Sequence, residues 1–111
     1  SIGGNAFYGC TRLKEITIPE TTVQLGNECF AKCYALEYIR IPKSIAYWGK
    51  RPFYDCGLTE VVFDPGLATI GDCAFYDCIK LEKVTIPNDC EIGWNAFYGC
   101  YRLPKEYWEN E

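Results

Sequence analysis

Hydrophobic and small residues recur along this chain at a nearly constant interval. Each unit contains a glycine, then a phenylalanine and a cysteine three residues apart, then a leucine and two apolar residues separated by one position. The columns are Gly3, Gly26, Gly49, Gly71 and Gly93; Phe7, Phe30, Phe53, Phe75 and Phe97; Cys10, Cys33, Cys56, Cys78 and Cys100; and Leu13, Leu36, Leu58, Leu81 and Leu103. Successive column cysteines are 23, 23, 22 and 22 residues apart. Such a period predicts stacked coils that share one core, because a single coil cannot bury its apolar face alone.

The apolar pairs near the end of each unit predict one short strand per unit. The pairs are Ile16/Ile18, Ile39/Ile41, Val61/Phe63 and Val84/Ile86. Alternation places both apolar residues on one face, and stacking at about 4.8 Å places the strands in a parallel sheet. Proline, which has no N–H for a ladder, follows at Pro19, Pro42 and Pro87 and is displaced by one position to Pro65. The segment between glycine and cysteine suits a turn or a short helix, where Pro52 is acceptable at a first helical position.

Composition removes several classes of function. The chain has 111 residues, a formal net charge of -4 with both signs interspersed, and no histidine. This length favours one domain, and the mixed charge argues against nucleic acid or an anionic membrane as partner. No apolar run approaches the ~20 residues of a membrane span. No phosphate-binding glycine loop or nucleophilic serine motif occurs, and the carboxylates fall at turn and strand-flanking positions. We therefore expect no enzymatic activity, no cofactor, no metal and no membrane insertion.

Written as a template, the unit is φ-G-x-x-A-F-x-x-C-x-x-L-x-x-I-x-I-P, with φ an apolar residue, and it covers residues 1–103. This template resembles the BspA-like, or treponemal-type, leucine-rich repeat of cell-surface proteins. The resemblance implies a leucine-rich-repeat solenoid, a right-handed stack of about five coils with a parallel sheet on the concave face and short helical or irregular segments on the convex face. The units would be 1–23, 24–46, 47–68, 69–90 and a partial 91–103, followed by a C-terminal cap or chain end at 104–111. It also implies a cell-surface or secreted location.

Eight cysteines in so short a chain raise the question of disulfides or metal binding. The five column cysteines recur in phase with phenylalanine and leucine, so we expect them to be small apolar groups of the core. Cys29, Cys73 and Cys90 fall outside the column. The spacings of Cys29 to Cys33 and of Cys73 to Cys78 do not match the usual zinc pair. A Cys73–Cys90 disulfide is conceivable, and a free reactive thiol at Cys90 is the alternative.

The residues that point outward from the predicted strands are the candidates for partner binding. They are Lys14, Glu15, Thr17, Glu37, Tyr38, Arg40, Thr59, Glu60, Val62, Glu82, Lys83 and Thr85. On a solenoid these side chains line up as one stripe on the concave face. Tyr38 and Arg40 lie in its middle and are residue types enriched in interface hot spots. The alternative is that the stripe only keeps an exposed sheet soluble.

Aromatic residues outside the core columns form a second candidate surface. The tyrosines that follow the column phenylalanines are Tyr8, Tyr54, Tyr76 and Tyr98, with Ala31 as the exception. Their rings could bind a protein or a glycan, or they could half-cover the core and leave their hydroxyls in water. Trp48, at the apolar position before Gly49, is expected in the core, whereas Trp94 is expected at the surface.

Three functional hypotheses follow. In the first, the chain is part of an adhesin-like protein whose concave sheet binds a protein of a host or neighbouring-cell surface or matrix. In the second, the repeats are a structural spacer and another part of the protein binds. In the third, Cys29, Cys73 and Cys90 handle thiols or a metal. Because the strand predicted at Ile16–Ile18 would have an unpaired edge, we also expect weak self-association through this uncapped N-terminal edge.

Overall fold

The chain folds into short parallel strands connected by turns. The structure, a computed structural model, describes residues 1–109. In chain order its elements are β1 (Gln24–Leu25), β2 (Tyr38–Ile41), β3 (Tyr47–Trp48), β4 (Glu60–Phe63), β5 (Thr69–Ile70), β6 (Lys83–Thr85), β7 (Glu91–Ile92) and α1 (Lys105–Trp108). The strands β2, β4 and β6 form one parallel sheet in that order, with the repeat units in register. The prediction of parallel strands from successive units is therefore confirmed for these three units.

Burial alternates along these strands, which places the core on one side of the sheet. In β2, Ile39 and Ile41 are fully buried, whereas Tyr38 is 49% exposed. The end of β6 differs from the prediction, because its last residue is Thr85 and Ile86 lies half-buried beyond it. The alternating pattern of the sequence therefore identified the inward face correctly, but not every strand end.

The first unit contains no strand at Ile16–Ile18 within the described chain, so that prediction is wrong. Ile18 is only 2% exposed and Ile16 is half-buried, so the segment packs against the core without joining the ladder. The physical reason is its position, because an inner strand is held by hydrogen bonds on two sides and this segment has a neighbouring strand only at β2. Self-association through this edge stays a prediction, without the preformed strand on which it was based.

A second set of strands lies just before the column glycines and was not predicted. The strand β1 pairs with β3, and β5 pairs with β7, each over two residues. Ile2 adds an isolated parallel bridge to Leu25. Two residues are too few to show an alternating pattern, so only the stacking of coils reveals these strands.

The column phenylalanines form a continuous stack of rings, as the sequence predicts. Successive centroids are 5.1, 5.2, 4.8 and 5.6 Å apart from Phe7 to Phe97, and the planes differ by at most 13°. Phe7 is half-buried, and the other four rings are fully buried. Aromatic pairs at these distances add to the free energy gained by burial. Successive coils are therefore aligned along this stack of rings.

The segments between glycine and cysteine are turns, and no helix is formed there in the described chain. Their backbones connect successive coils through bonds from Phe7 N to Cys29 O (2.7 Å), Phe30 N to Pro52 O (2.8 Å), Phe53 N to Ala74 O (2.9 Å) and Phe75 N to Ala96 O (2.8 Å). Pro52 is tolerated because this ladder uses its carbonyl and not the N–H that it lacks. The reason given from the sequence, a first helical position, is therefore replaced by a different one.

The C-terminal segment lies against the last coil. The ring of Tyr107 in α1 meets Phe97 edge to face at 5.7 Å, and the Trp108 indole N–H donates to the Leu103 carbonyl at 2.9 Å. The cap expected at 104–111 stays a prediction, and its residues 110 and 111 lie outside the described residues.

Candidate protein-interaction surface

The outward-facing side chains of the three-stranded sheet form a continuous surface. One row is Tyr38, Glu60 and Lys83; the next is Arg40, Val62 and Thr85. A third row precedes the strands and consists of Glu37, Thr59 and Glu82. The Thr59 N–H donates to the Glu37 carbonyl at 2.8 Å, and the Glu82 N–H donates to the Thr59 carbonyl at 3.0 Å. We call these nine residues the strand surface. Five of them are exposed, whereas Arg40, Thr59, Glu60 and Val62 are half-buried.

The first unit does not extend the strand surface as a paired strand. Lys14, Glu15 and Thr17 are exposed, but their segment is outside the sheet. A gap of about 170 Å³ lies between them and Tyr38. The structure thus places six of the twelve predicted residues in the paired strands and three directly before them, and it leaves the three residues of the first unit beside the sheet.

Arg40 is held by other residues of the chain. Its guanidinium donates to both carboxylate oxygens of Asp64, at 2.8 and 2.7 Å, and to Glu20 at 3.0 Å. The hydrogen bond to Glu20 and those to Asp64 raise the pKa of the Arg40 guanidinium above its usual value. The network joins three successive coils. Arg40 therefore has a structural role whatever it contributes to binding.

Sequence reasoning missed Glu20 and Asp64 as partners of Arg40. A signal for Asp64 was present, because this aspartate stands where the neighbouring units have proline and the proline follows at Pro65. The side chain of Asp64 is only 14% exposed. A carboxylate at a strand end beside an outward-facing arginine of the previous unit is a pattern that could have been found. Glu20 offers no such signal.

The tyrosine column lies on the turn segments. The rings of Tyr54 and Tyr76 are 6.1 Å apart, and those of Tyr76 and Tyr98 are 4.8 Å apart. The Arg51 guanidinium lies over the Tyr54 ring at 5.1 Å from its centroid. The ring planes are tilted by 44° and 30° to each other, and Arg51 covers only the Tyr54 ring. Tyr54 and Tyr76 are half-buried, which fits a role in covering the turns, whereas Tyr8 and Tyr98 are exposed and their binding role stays a prediction.

Four column cysteines are buried and their thiols are hydrogen-bonded to the backbone. The bonds run from Cys33 to Phe7 O (3.1 Å), Cys56 to Phe30 O (2.8 Å), Cys78 to Phe53 O (3.0 Å) and Cys100 to Phe75 O (3.1 Å). Burial raises the pKa of the Cys78 thiol well above its usual value. Each of these hydrogen bonds connects a coil to the preceding one. The prediction that these cysteines belong to the core is confirmed, with Cys10 half-buried at the end.

The three cysteines outside the column differ in how deeply they are buried. Cys29 takes the template alanine position and is fully buried, which raises its pKa to about 12. Cys73 and Cys90 are half-buried free thiols, so the conceivable disulfide between them is not formed. Burial raises the pKa of both. Within residues 1–109, no three cysteine or carboxylate side chains are grouped as a metal site. These facts favour a structural role over thiol chemistry.

The two tryptophans differ as the sequence predicts. Trp48 packs against the core, half-buried, and its indole N–H donates to the Thr69 carbonyl at 3.0 Å. Trp94 is 68% exposed. The more exposed of the two indoles, that of Trp94, therefore lies in a turn segment and not on the strand surface.

The repeat pattern matches a known family. The model of the BspA type leucine-rich repeat region matches residues 1–108 with six copies. The chain belongs to this family. Leucine-rich repeats are a fold that typically mediates protein–protein contacts and is generally not enzymatic. No curated protein sequence matches the chain.

Two solved structures of leucine-rich repeat proteins are similar to this repeat chain. A leucine-rich repeat protein of T. pallidum is 30% identical, with a TM-score of 0.82 over 95% of this chain and 50% of its own. A leucine-rich repeat protein of Bacteroides ovatus is 33% identical, with a TM-score of 0.79 over 92% of this chain and 27% of its own. The chain thus spans half or less of the length of these proteins. No helix in residues 1–109 has the length and hydrophobicity of a membrane span.

Proposed function

We propose that this chain is a non-enzymatic protein-interaction module of a cell-surface or secreted adhesin-like protein, and that it binds a protein partner through its concave sheet. The observation that carries the proposal is the strand surface, in which nine side chains stand in three registered rows. An ordered sheet loses little conformational entropy on binding. Tyr38, 49% exposed at one edge of this sheet, is a suitable anchor.

The alternative is a structural spacer, and one observation favours it. Glu20, Arg40 and Asp64 are joined across three coils, and Lys83 lies 3.7 Å from Glu60. Part of the strand surface therefore stabilises the stack of coils. A spacer would need these contacts and no partner.

A fragment-display experiment separates the two functions. The biotinylated chain is used to select from a phage library of folded extracellular protein fragments, and affinities of selected fragments are measured with purified variants. We expect Tyr38→Ala to weaken binding about tenfold or more, because an exposed aromatic anchor is lost. Tyr98→Ala is the control, because this tyrosine lies on the turn side. A spacer would give no fragment that discriminates between the two variants.

A further inference from the structure

An apolar groove opens between the carboxyl ends of β4 and β6. Its volume is about 530 Å³, and it is lined mainly by Val62, Phe63, Pro65, Ile86 and Pro87, with Thr85 at the rim. We call it the β4–β6 groove. It borders the strand surface, because Val62 and Thr85 belong to both. A partner that covers the sheet would therefore also reach the groove.

The groove exists because the ladder between β4 and β6 ends early. Between β2 and β4, pairing continues through Ile41 and Phe63, and the N–H of Asp64 then donates to the Ile41 carbonyl at 3.0 Å. Between β4 and β6, pairing ends one residue sooner, at Val62 and Thr85. The junction between β2 and β4 is thus closed by a hydrogen bond at its carboxyl end, whereas the junction between β4 and β6 is open there.

Proline at position 87 explains the difference. In the register of the sheet, Pro87 follows Ile86 as Asp64 follows Phe63. Because proline has no N–H, it cannot make the bond to the Phe63 carbonyl that Asp64 makes to the Ile41 carbonyl. Among residues 1–109, no backbone N–H replaces it. A backbone acceptor without a donor beside apolar side chains is a position where a ligand N–H would bind favourably.

The charges around the strand surface favour a basic ligand. The carboxylates on and beside it are Glu15, Glu20, Glu37, Glu60, Asp64 and Glu82, whereas the cations are Lys14, Arg40 and Lys83. Arg40 and Lys83 are already paired within the chain. Glu82, directly before β6, is exposed and has no ion pair among the described residues. Lys43 lies beside Gly66, at the border of the groove that is away from the strand surface. A basic group of the ligand is therefore favoured on the side of the strand surface.

We propose that the β4–β6 groove binds an extended segment of the protein partner, and this rests on the proposed function. One aliphatic or aromatic side chain of the segment occupies the groove between Pro65 and Pro87. A backbone N–H of the segment donates to the Phe63 carbonyl. A lysine or arginine within a few residues of the apolar anchor pairs with Glu82. Apolar burial supplies affinity, and the charge pair fixes the direction of the segment.

The test is selection of a random linear peptide library on the immobilised chain, followed by affinity measurement of the synthetic peptides. We expect the selected peptides to share an apolar residue with a lysine or arginine close to it. Thr85→Arg should weaken their binding at least tenfold, because it adds bulk and positive charge at the rim. Thr11→Arg is the matched control, since it adds the same residue at an exposed threonine in a turn segment outside the strand surface, and it should change the affinity less than twofold.

Two further variants test the mechanism. Pro87→Ala supplies the missing N–H, so it should close the groove and weaken peptide binding without lowering the melting temperature. Amide hydrogen exchange at residue 87 reports whether the bond to Phe63 forms. Glu82→Lys should shift the selected peptides from basic to acidic. Circular dichroism confirms that each variant is folded.

Each outcome has a distinct meaning. Peptides that lose binding with Tyr38→Ala but not with Thr85→Arg or Pro87→Ala would overturn the groove inference and leave the proposed function standing. A preference for acidic peptides on the unaltered chain would also overturn the inference. If no peptide depends on any strand-surface residue, both the inference and the proposed function are contradicted.

Discussion

Arg40 and Asp64 are joined by two parallel hydrogen bonds, from Nε to Oδ1 at 2.8 Å and from Nη2 to Oδ2 at 2.7 Å. This two-pronged geometry is specific to arginine, because the ammonium group of lysine is a point donor. The bonds cross from one coil to the next, and Glu20 extends them to a third coil. Arg40, which the sequence predicts as a binding residue, thus connects neighbouring coils of the repeat stack.

Arg40→Lys should therefore lower the melting temperature, by about 3–6 °C, although the charge is retained. The reason is the loss of the paired bonds to Asp64. Lys83→Ala is the control, because its single contact with Glu60 is longer, at 3.7 Å, and more exposed, so its effect should be below about 1 °C. Thermal unfolding followed by circular dichroism measures both. Equal effects of the two variants would contradict the structural role of Arg40.

Gly26→Ala should destabilise the fold by about 1–3 kcal/mol, because the added methyl has no space. A Cβ at Gly26 would lie 2.5 Å from Gly4 N and 2.6 Å from the Gly3 carbonyl carbon. Gly3→Ala changes the same template position in the first coil, where nothing lies within 4 Å, and should have little effect. Urea unfolding of the two variants gives the comparison. The expectation is wrong if Gly3→Ala costs as much as Gly26→Ala.

Cys29→Ala should reduce the loss of stability at alkaline pH. The folded pKa of Cys29 is raised from 9.0 to about 12, so the stability linked to its proton is present below the unfolded pKa and is lost as the pH rises towards 12. In this window each such thiol lowers the free energy of unfolding by about 1.4 kcal/mol per pH unit. Alanine fits because it occupies this position in three other units, at Ala6, Ala74 and Ala96.

The measurement is the free energy of unfolding between pH 8 and 10.5 for the unaltered chain and for Cys29→Ala. Cys90→Ala is the control, because Cys90 is half-buried in a loop and its pKa is raised less. Parallel pH profiles for the unaltered chain and Cys29→Ala would contradict the assignment.

Thiol labelling should divide the eight cysteines into two groups. Cys10, Cys73 and Cys90 are half-buried and should react with a maleimide in the folded protein, whereas the other five are buried and should react only after unfolding. Mass spectrometry of the labelled protein counts the two groups. Rapid labelling of Cys56 or Cys78 under native conditions would show that the thiol column is open to solvent.

The repeat template was sufficient to predict the stack of coils. Phe30 and Phe53 lie 5.2 Å apart with nearly parallel rings, because the same local sequence makes the same local turn in each unit. Any residue in such a column meets its own counterpart, and the identity of the contact can be read from the period. The predicted inward face of β2 and β4 was correct for the same reason.

The candidate surface was predicted less completely. The period placed Tyr38, Glu60 and Lys83 in one row, and the structure agrees. It did not indicate that the segment at Ile16–Ile18 would stay outside the sheet, because pairing at an edge depends on what lies on both sides of a strand. Nor did the period alone identify Asp64 as the partner of Arg40, because the contact depends on one departure from the template, the aspartate that stands where the other units have proline.

The amino-acid sequence by itself determined the family, the coil stacking and the columns of phenylalanine, cysteine and leucine, since these contacts repeat with the period. Only the tertiary structure decided which outward residues are already engaged, that Cys29 joins the core, and that Pro87 leaves the Phe63 carbonyl open beside an apolar groove. The physical reason is that these features arise between non-equivalent residues of neighbouring coils, where distance and direction, and not periodicity, decide the contact.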